Sequence, residues 1–310
     1  MDFVSVVGAL IPVAGLIAFG WVLRRLRLLS DPDFWSGAEK LAYFVLLPVL
    51  LFRNISAVDI SHVDIGRLAA ALVLPTIGIT IILFALNRVL ASDRSSFTSV
   101  VQGAIRFNTY IGLSLSATLF GPEGAALAAI VGAVLVPLVN VLSSIAFELF
   151  LVDKRSWLAL GRSVILNPLV LGCAAGAAWN VLPVTTPEAV AGMIDPLAAA
   201  ALPIGLLCVG AGIRRFSVRE HAVAFFSATV LKLLIVPAVT VVSLLAFGLR
   251  GEAAVVGLIF QSIATASSAY VMARQLGGNA TLMAALIAAQ TVISMLTLPI
   301  VLTAGAQLLL

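Results

Sequence analysis

Carboxylates are missing from the middle of every long apolar run in this chain. All fourteen Asp and Glu residues fall in connections or near the ends of runs, with Glu39 and Glu148 reaching furthest inward. Charge of either sign is scarce, at 10% of residues, against 62% hydrophobic residues and a mean hydropathy of +1.17. That balance excludes a soluble globular protein and points to an all-α integral membrane protein. Histidine is nearly absent: His62 and His221 lie in or beside connections without metal-ligand spacing, which excludes a histidine-built metal centre. Only two cysteines occur, Cys173 and Cys208, both inside apolar runs, where they read as small packing residues rather than a disulfide or metal pair. HExxH, aspartate clusters, serine-nucleophile motifs and paired mid-span aspartates are also lacking, so no enzyme activity and no cofactor is implied. The net charge of +4 comes from the connections and speaks of membrane topology, not of nucleic-acid binding.

What the chain does have is apolar runs of membrane-spanning length. Turn and charge clusters divide its 310 residues into ten predicted spans, roughly 3–23, 36–55, 66–87, 97–120, 123–150, 158–180, 189–213, 221–248, 253–273 and 281–307. The first run lacks a basic segment before it and is too long for a signal-peptide core, so it reads as an uncleaved span. Of the 18 Lys and Arg residues, twelve fall in one alternating set of connections and three in the other. The positive-inside rule then places both termini on the outer, periplasmic side of an inner membrane. Trp21, Trp35, Trp157 and Trp179 all fall at predicted span ends, where amphipathic rings prefer the headgroup region.

Helix-breaking residues pair across the two halves: Pro12 with Pro168, Pro48 with Pro203, Pro75 with Pro237, and Pro137 with Pro299. The same shift lays Leu119–Val131 over Gln275–Ile287, with Gly121 on Gly277. Five spans per half is an odd number, so residues 1–155 and 156–310 would enter the membrane in opposite directions. Inverted repeats of this kind characterise secondary transporters, whose substrate sits where the halves meet.

Spans four and nine are the least hydrophobic. Span four carries Arg106, Asn108, Thr109, Tyr110, Gly112 and Ser114; span nine carries Gln261, Thr265, Ser267, Ser268 and Tyr270. In paired positions of an inverted repeat these are expected to be discontinuous helices near Asn108–Gly112 and Ala264–Ser268, whose freed N–H groups and helix dipoles can hold an anion. Asn108 has more hydrogen-bond sites than its own helix can satisfy, and Asn140 on span five is a second candidate. The serines and threonines, taken singly, are equally explained by bonds to their own helix carbonyls. Arg106 and Lys232 lie deep within spans with no acid beside them in the sequence. An interior with that charge favours a small organic anion, and each cation serves either the field at the site or the carbonyls of a broken helix.

Gly20–Ser56, Arg106–Leu113 and Ser267–Ala280 together resemble the auxin efflux carrier family, the plant PIN-type carriers and bacterial organic-acid permeases, and the resemblance extends over essentially the whole chain. It implies ten helices in two inverted five-helix repeats with crossed, broken helices four and nine. Spans 1, 2, 6 and 7 would form a scaffold, where a homodimer contact would lie, and spans 3, 4, 5, 8, 9 and 10 a mobile transport domain moving as an elevator. It also implies that Asn108 and Asn140 contact a substrate carboxylate. One departure is that neither crossover carries the proline usual in such carriers. Two other readings stay open: a sodium-coupled anion symporter of the bile-acid type, and an anion sensor that does not transport.

Overall fold

The computed structural model describes residues 3–26, 29, 31–57, 64–91, 93–151, 166, 168–182, 187–213, 221–266 and 268–310. Every regular element among them is helical. In chain order these are α1 (Phe3–Arg25), α2 (Pro32–Leu41), α3 (Leu47–Ala57), α4 (Ile65–Ala85), α5 (Asn87–Leu90), α6 (Arg94–Ile105) and α7 (Thr109–Leu151). They continue with α8 (Pro168–Val181), α9 (Glu188–Gly212), α10 (Ala222–Val230), α11 (Val236–Ala246), α12 (Glu252–Ser262), α13 (Ser268–Leu276) and α14 (Ala280–Leu309). Seven helical stretches are long and apolar enough to cross a membrane. The difference from ten predicted spans has local causes. Arg94–Leu151 counts as one stretch although its backbone breaks twice, Glu252–Ser262 is short because the helix stops at mid-chain, and most of the connection before α8 lies outside the described residues. Trp157, His62 and Ser267 lie outside them as well.

Helix starts follow the expected capping chemistry. Asp31 caps α2 beside Pro32, Asp64 caps α4 through the Arg67 N–H, Asp93 caps α6 through the Ser96 N–H, and Asn279 caps α14 through the Leu282 N–H. Two π turns join α2 to α3 at Ala42–Leu46 and α10 to α11 at Leu231–Ile235. Each is followed, one residue on, by a proline. Pro48 and Pro237 cannot donate an N–H and crowd the carbonyl four residues back, and the ladder accommodates them by widening. The Leu47 N–H therefore bonds the Ala42 carbonyl, and the Val236 N–H the Leu231 carbonyl.

Inside α7 the chain folds back at Gly121, whose φ of 62° and ψ of −146° are open to glycine and almost closed to other residues. A Cβ on Gly124 would lie 2.2 Å from the Ser116 carbonyl oxygen, so segments 109–120 and 122–151 are packed backbone to backbone across this corner. Small residues bring other helices together in the same way. Gly20 and Gly210 let α1 and α9 meet at the Leu207 and Ile17 carbonyls, and Gly172 and Gly176 let α8 meet α3 at those of Pro48 and Phe52. Without water to drive helices together, such close approach is the main source of packing energy in a bilayer. α12 lies at the centre, buried on all sides from Ala254 to Ser262.

Candidate functional site

Two helices end in the middle of the bundle, and their ends meet. α6 stops at Ile105, Arg106 turns into extended backbone (φ −76°, ψ 158°), and helix resumes at Thr109. α12 stops at Ser262 and Ile263 is likewise extended (φ −82°, ψ 158°), with helix resuming at Ser268. The Asn108 N–H donates to the Ala264 carbonyl at 2.8 Å, tying one break to the other.

The first break falls slightly before its expected position. Gly112 lies within the resumed helix, its N–H bonded to the Asn108 carbonyl, and a Cβ there would press on the Phe260 ring at 2.9 Å. Its glycine is a packing requirement against α12. The break is set by Asn108, whose Oδ1 accepts the N–H groups of Tyr110 and Ile111 and so caps the new helix. At the second break no proline or glycine is needed, because Gln290 and Thr265 replace the lost ladder. Gln290 Oε1 accepts the Thr265 N–H at 3.1 Å, and Gln290 Nε2 donates to the Gly103 carbonyl at 2.9 Å. The Thr265 hydroxyl donates to that same carbonyl at 3.0 Å. Carbonyls released at the end of α6 are thus met by the opposite half of the chain.

Arg106 is buried with them, and its guanidinium reaches across the crossing. Nη1 donates to Asn140 Oδ1 at 2.9 Å and approaches the Met272 sulfur at 3.3 Å, and Nη2 donates to the Ser268 hydroxyl at 3.1 Å. It therefore binds side chains of α7 and α13 rather than freed carbonyls. Accepting from Arg106 turns the Asn140 oxygen toward the guanidinium and leaves its NH₂ group for another acceptor. Asn108 Nδ2 and Arg106 Nε are buried without a hydrogen-bond partner.

Lys232 stands in the second π turn, fully buried, with Nζ unpartnered and 5.8 Å from the centre of the Phe107 ring at the first break. Arg106, Asn108, Asn140, Thr265 and Ser268 are thus brought into one bonded cluster, with Lys232 behind it. Tyr110 points elsewhere: its ring covers Gly205 of α9, where a Cβ would lie 2.3 Å from it. Thr109 and Ser114 are half-buried and make none of these contacts, and Ser267 lies outside the described residues.

Three participants are not singled out by sequence: Gln290, Met272 and Tyr43. Tyr43 lies in the first π turn, near Arg106. A lone glutamine in the apolar stretch "LIAAQTVI" and a tyrosine five residues before a mid-span proline are the signals that could have found Gln290 and Tyr43. Met272 carries no such signal.

Among the described residues no group of His, Cys, Asp and Glu could hold a metal ion. Residues 153–302 match the family described as membrane transport protein, the auxin efflux carrier and PIN-like membrane transport family, whose members are transporters rather than enzymes. No curated protein matches the chain. The family match, over 150 of the 310 residues, indicates a membrane transporter, and the apolar helices support a multi-pass membrane protein.

Proposed function

We propose that this chain, its residues 153–302 matching a membrane transport family, is a secondary carrier for a small organic anion, a mono- or dicarboxylate. The observation that carries the reading is the crossing itself. Two broken helices meet in the bundle interior beside Arg106 and Lys232, and the Asn108 amide there has donors with no partner. An unmet buried donor costs free energy that an arriving acceptor recovers, and a carboxylate also offsets the two cations. Amide donors bind a carboxylate without holding it as tightly as a direct ion pair, which suits a site that must release its cargo.

The architecture we infer is ten spans in two inverted halves, 1–155 and 156–310, with spans 1, 2, 6 and 7 as scaffold. Gly121 and Gly277, paired by the repeat, both have positive φ at the turn that follows a broken helix, which supports that reading. So does the paired break in α6–α7 and α12–α13. An elevator-type movement of the remaining spans, carrying the crossing past the scaffold, fits the contact of Tyr110 with Gly205, where a flat ring lies on a helix that presents no side chain.

Uptake by proteoliposomes of labelled acetate, succinate, a neutral solute and a cation, with and without a sodium gradient, tests the reading. Uptake of a carboxylate over the neutral and cationic solutes is expected. Preferential uptake of a cation or neutral solute would remove it.

A further inference from the structure

A cavity of about 630 Å³ lies away from the crossing, between α3, α9 and the corner of α7 at Gly121. Ala117, on its wall, is nine residues beyond Asn108, or about 13 Å along a helix. The cavity is therefore separate from the Arg106 cluster, half a turn round the same broken span.

Three features of its wall point to a ligand. Asn54 is 9% exposed, lines the cavity, and has no hydrogen-bond partner among the described residues. An amide facing a cleft without a protein partner is free to bond a ligand there. Arg53 is held by Asp195 through Nε alone, leaving both Nη groups of the fork without another partner among the described residues. That fork matches the two oxygens of a carboxylate. Pro122 and Ala125 on the cavity wall belong to the start of segment 122–151, the positive end of a long helix. Asp195 opposes an anion, but its charge is already turned to Arg53, and both side chains are about half exposed, so solvent screens it.

We propose that this cavity is an outer binding site for a small carboxylate, with the Arg53 fork and the Asn54 amide as its recognition groups, where the anion rests before reaching the crossing. The inference rests on the anion reading given above and adds a second station to it. Phe52, Ile194 and Pro122 supply apolar walls, which suits a short organic acid better than an inorganic anion.

The test is a labelling experiment on the full chain in detergent, where both faces are open. Both native cysteines are buried, so an Ala191→Cys or Ala125→Cys reporter on the cavity wall can be followed with a maleimide. Succinate or acetate is expected to slow labelling of the reporter, and to do so equally in an Asn108→Ala background. Arg53→Gln and Asn54→Ala are each expected to raise the protecting concentration roughly tenfold, and Arg53→Lys to fall between, because it keeps the charge and loses the fork. Chloride at the same concentration is expected to protect weakly. Labelling of both reporters that ignores succinate and acetate would overturn the outer site, as would protection that vanishes with Asn108→Ala. If wild-type protein takes up carboxylates while the reporters stay unprotected, the crossing stands and the outer site falls. Protection without any carboxylate uptake supports the outer site and removes the transport reading instead.

Discussion

Arg106 shows how much one buried residue can hold together. Its hydrogen bonds to Asn140 and Ser268 join α7 to α13 across the break. Arg106→Gln keeps a polar group of shorter reach and no charge, so those bonds are lost together. Bonds to a charged group are worth about 1.5 to 3 kcal/mol each, so the variant is expected to unfold at a clearly lower temperature and to bind anions more weakly. Thermal unfolding in detergent, with and without succinate, measures both.

Asp93 offers a pH test at the same scale. Burial pushes its carboxyl up, but hydrogen bonds from the Ser96 side chain and backbone and from Ser95, with His221 nearby, outweigh this and hold it below the usual carboxylate value. A lowered folded-state value means its contribution is present above the ordinary carboxylate range near pH 4 and is lost as pH falls through the folded value. Asp93→Ala is expected to cost about 1 kcal/mol at neutral pH, the usual worth of a helix cap, and to lose less on acidification than wild type. Unfolding curves at pH 7 and below pH 4 show whether the acid-sensitive part has gone.

At the scale of elements, the corner at Gly121 and the contact at Gly205 make separate predictions. Any side chain at Gly121 is forced into backbone space costing about 1 to 3 kcal/mol, although a Cβ there meets no neighbour. Gly121→Ala should therefore lower the melting temperature, as thermal unfolding in detergent would show. At Gly205 the obstacle is steric instead. Gly205→Ala drives a methyl into the Tyr110 ring, so transport is expected to fall, and Tyr110→Ala in the same chain should restore part of it. Additive losses in the double variant would mean that the two residues do not bear on one another.

These elements also show what the sequence could and could not reveal. Ends of helices were legible because hydropathy and capping are local: Asp31, Asp64 and Asp93 mark three starts by residue type alone. The polar residues of span four, in a paired position of the repeat, predict a break within Asn108–Gly112. It lies at residues 106–108, because Asn108 caps a helix and Gly112 makes room for Phe260. The polar residues of span nine predict unwinding near Ala264–Ser268, but the unwinding at 263–266 also depends on Gln290, a residue of another helix that the span itself does not reveal. Proline 48 and proline 237 were legible as helix breakers, but their effect is to widen one turn and so to place Tyr43 and Lys232.

For the whole molecule, the proposal is that an interior holding Arg106 and Lys232 is completed by an anion at the crossing. Asn108 is the residue on which it turns: Oδ1 builds the break by capping the resumed helix, and Nδ2 is left without a partner. The most direct measurement is equilibrium binding of a carboxylate that the wild-type protein transports, compared between wild type and Asn108→Ala in detergent. Removing donors worth about 1.5 to 3 kcal/mol to a charged ligand predicts an affinity lower by roughly tenfold to a hundredfold in a variant that still folds. Wild-type affinity in a well-folded Asn108→Ala protein would contradict the account.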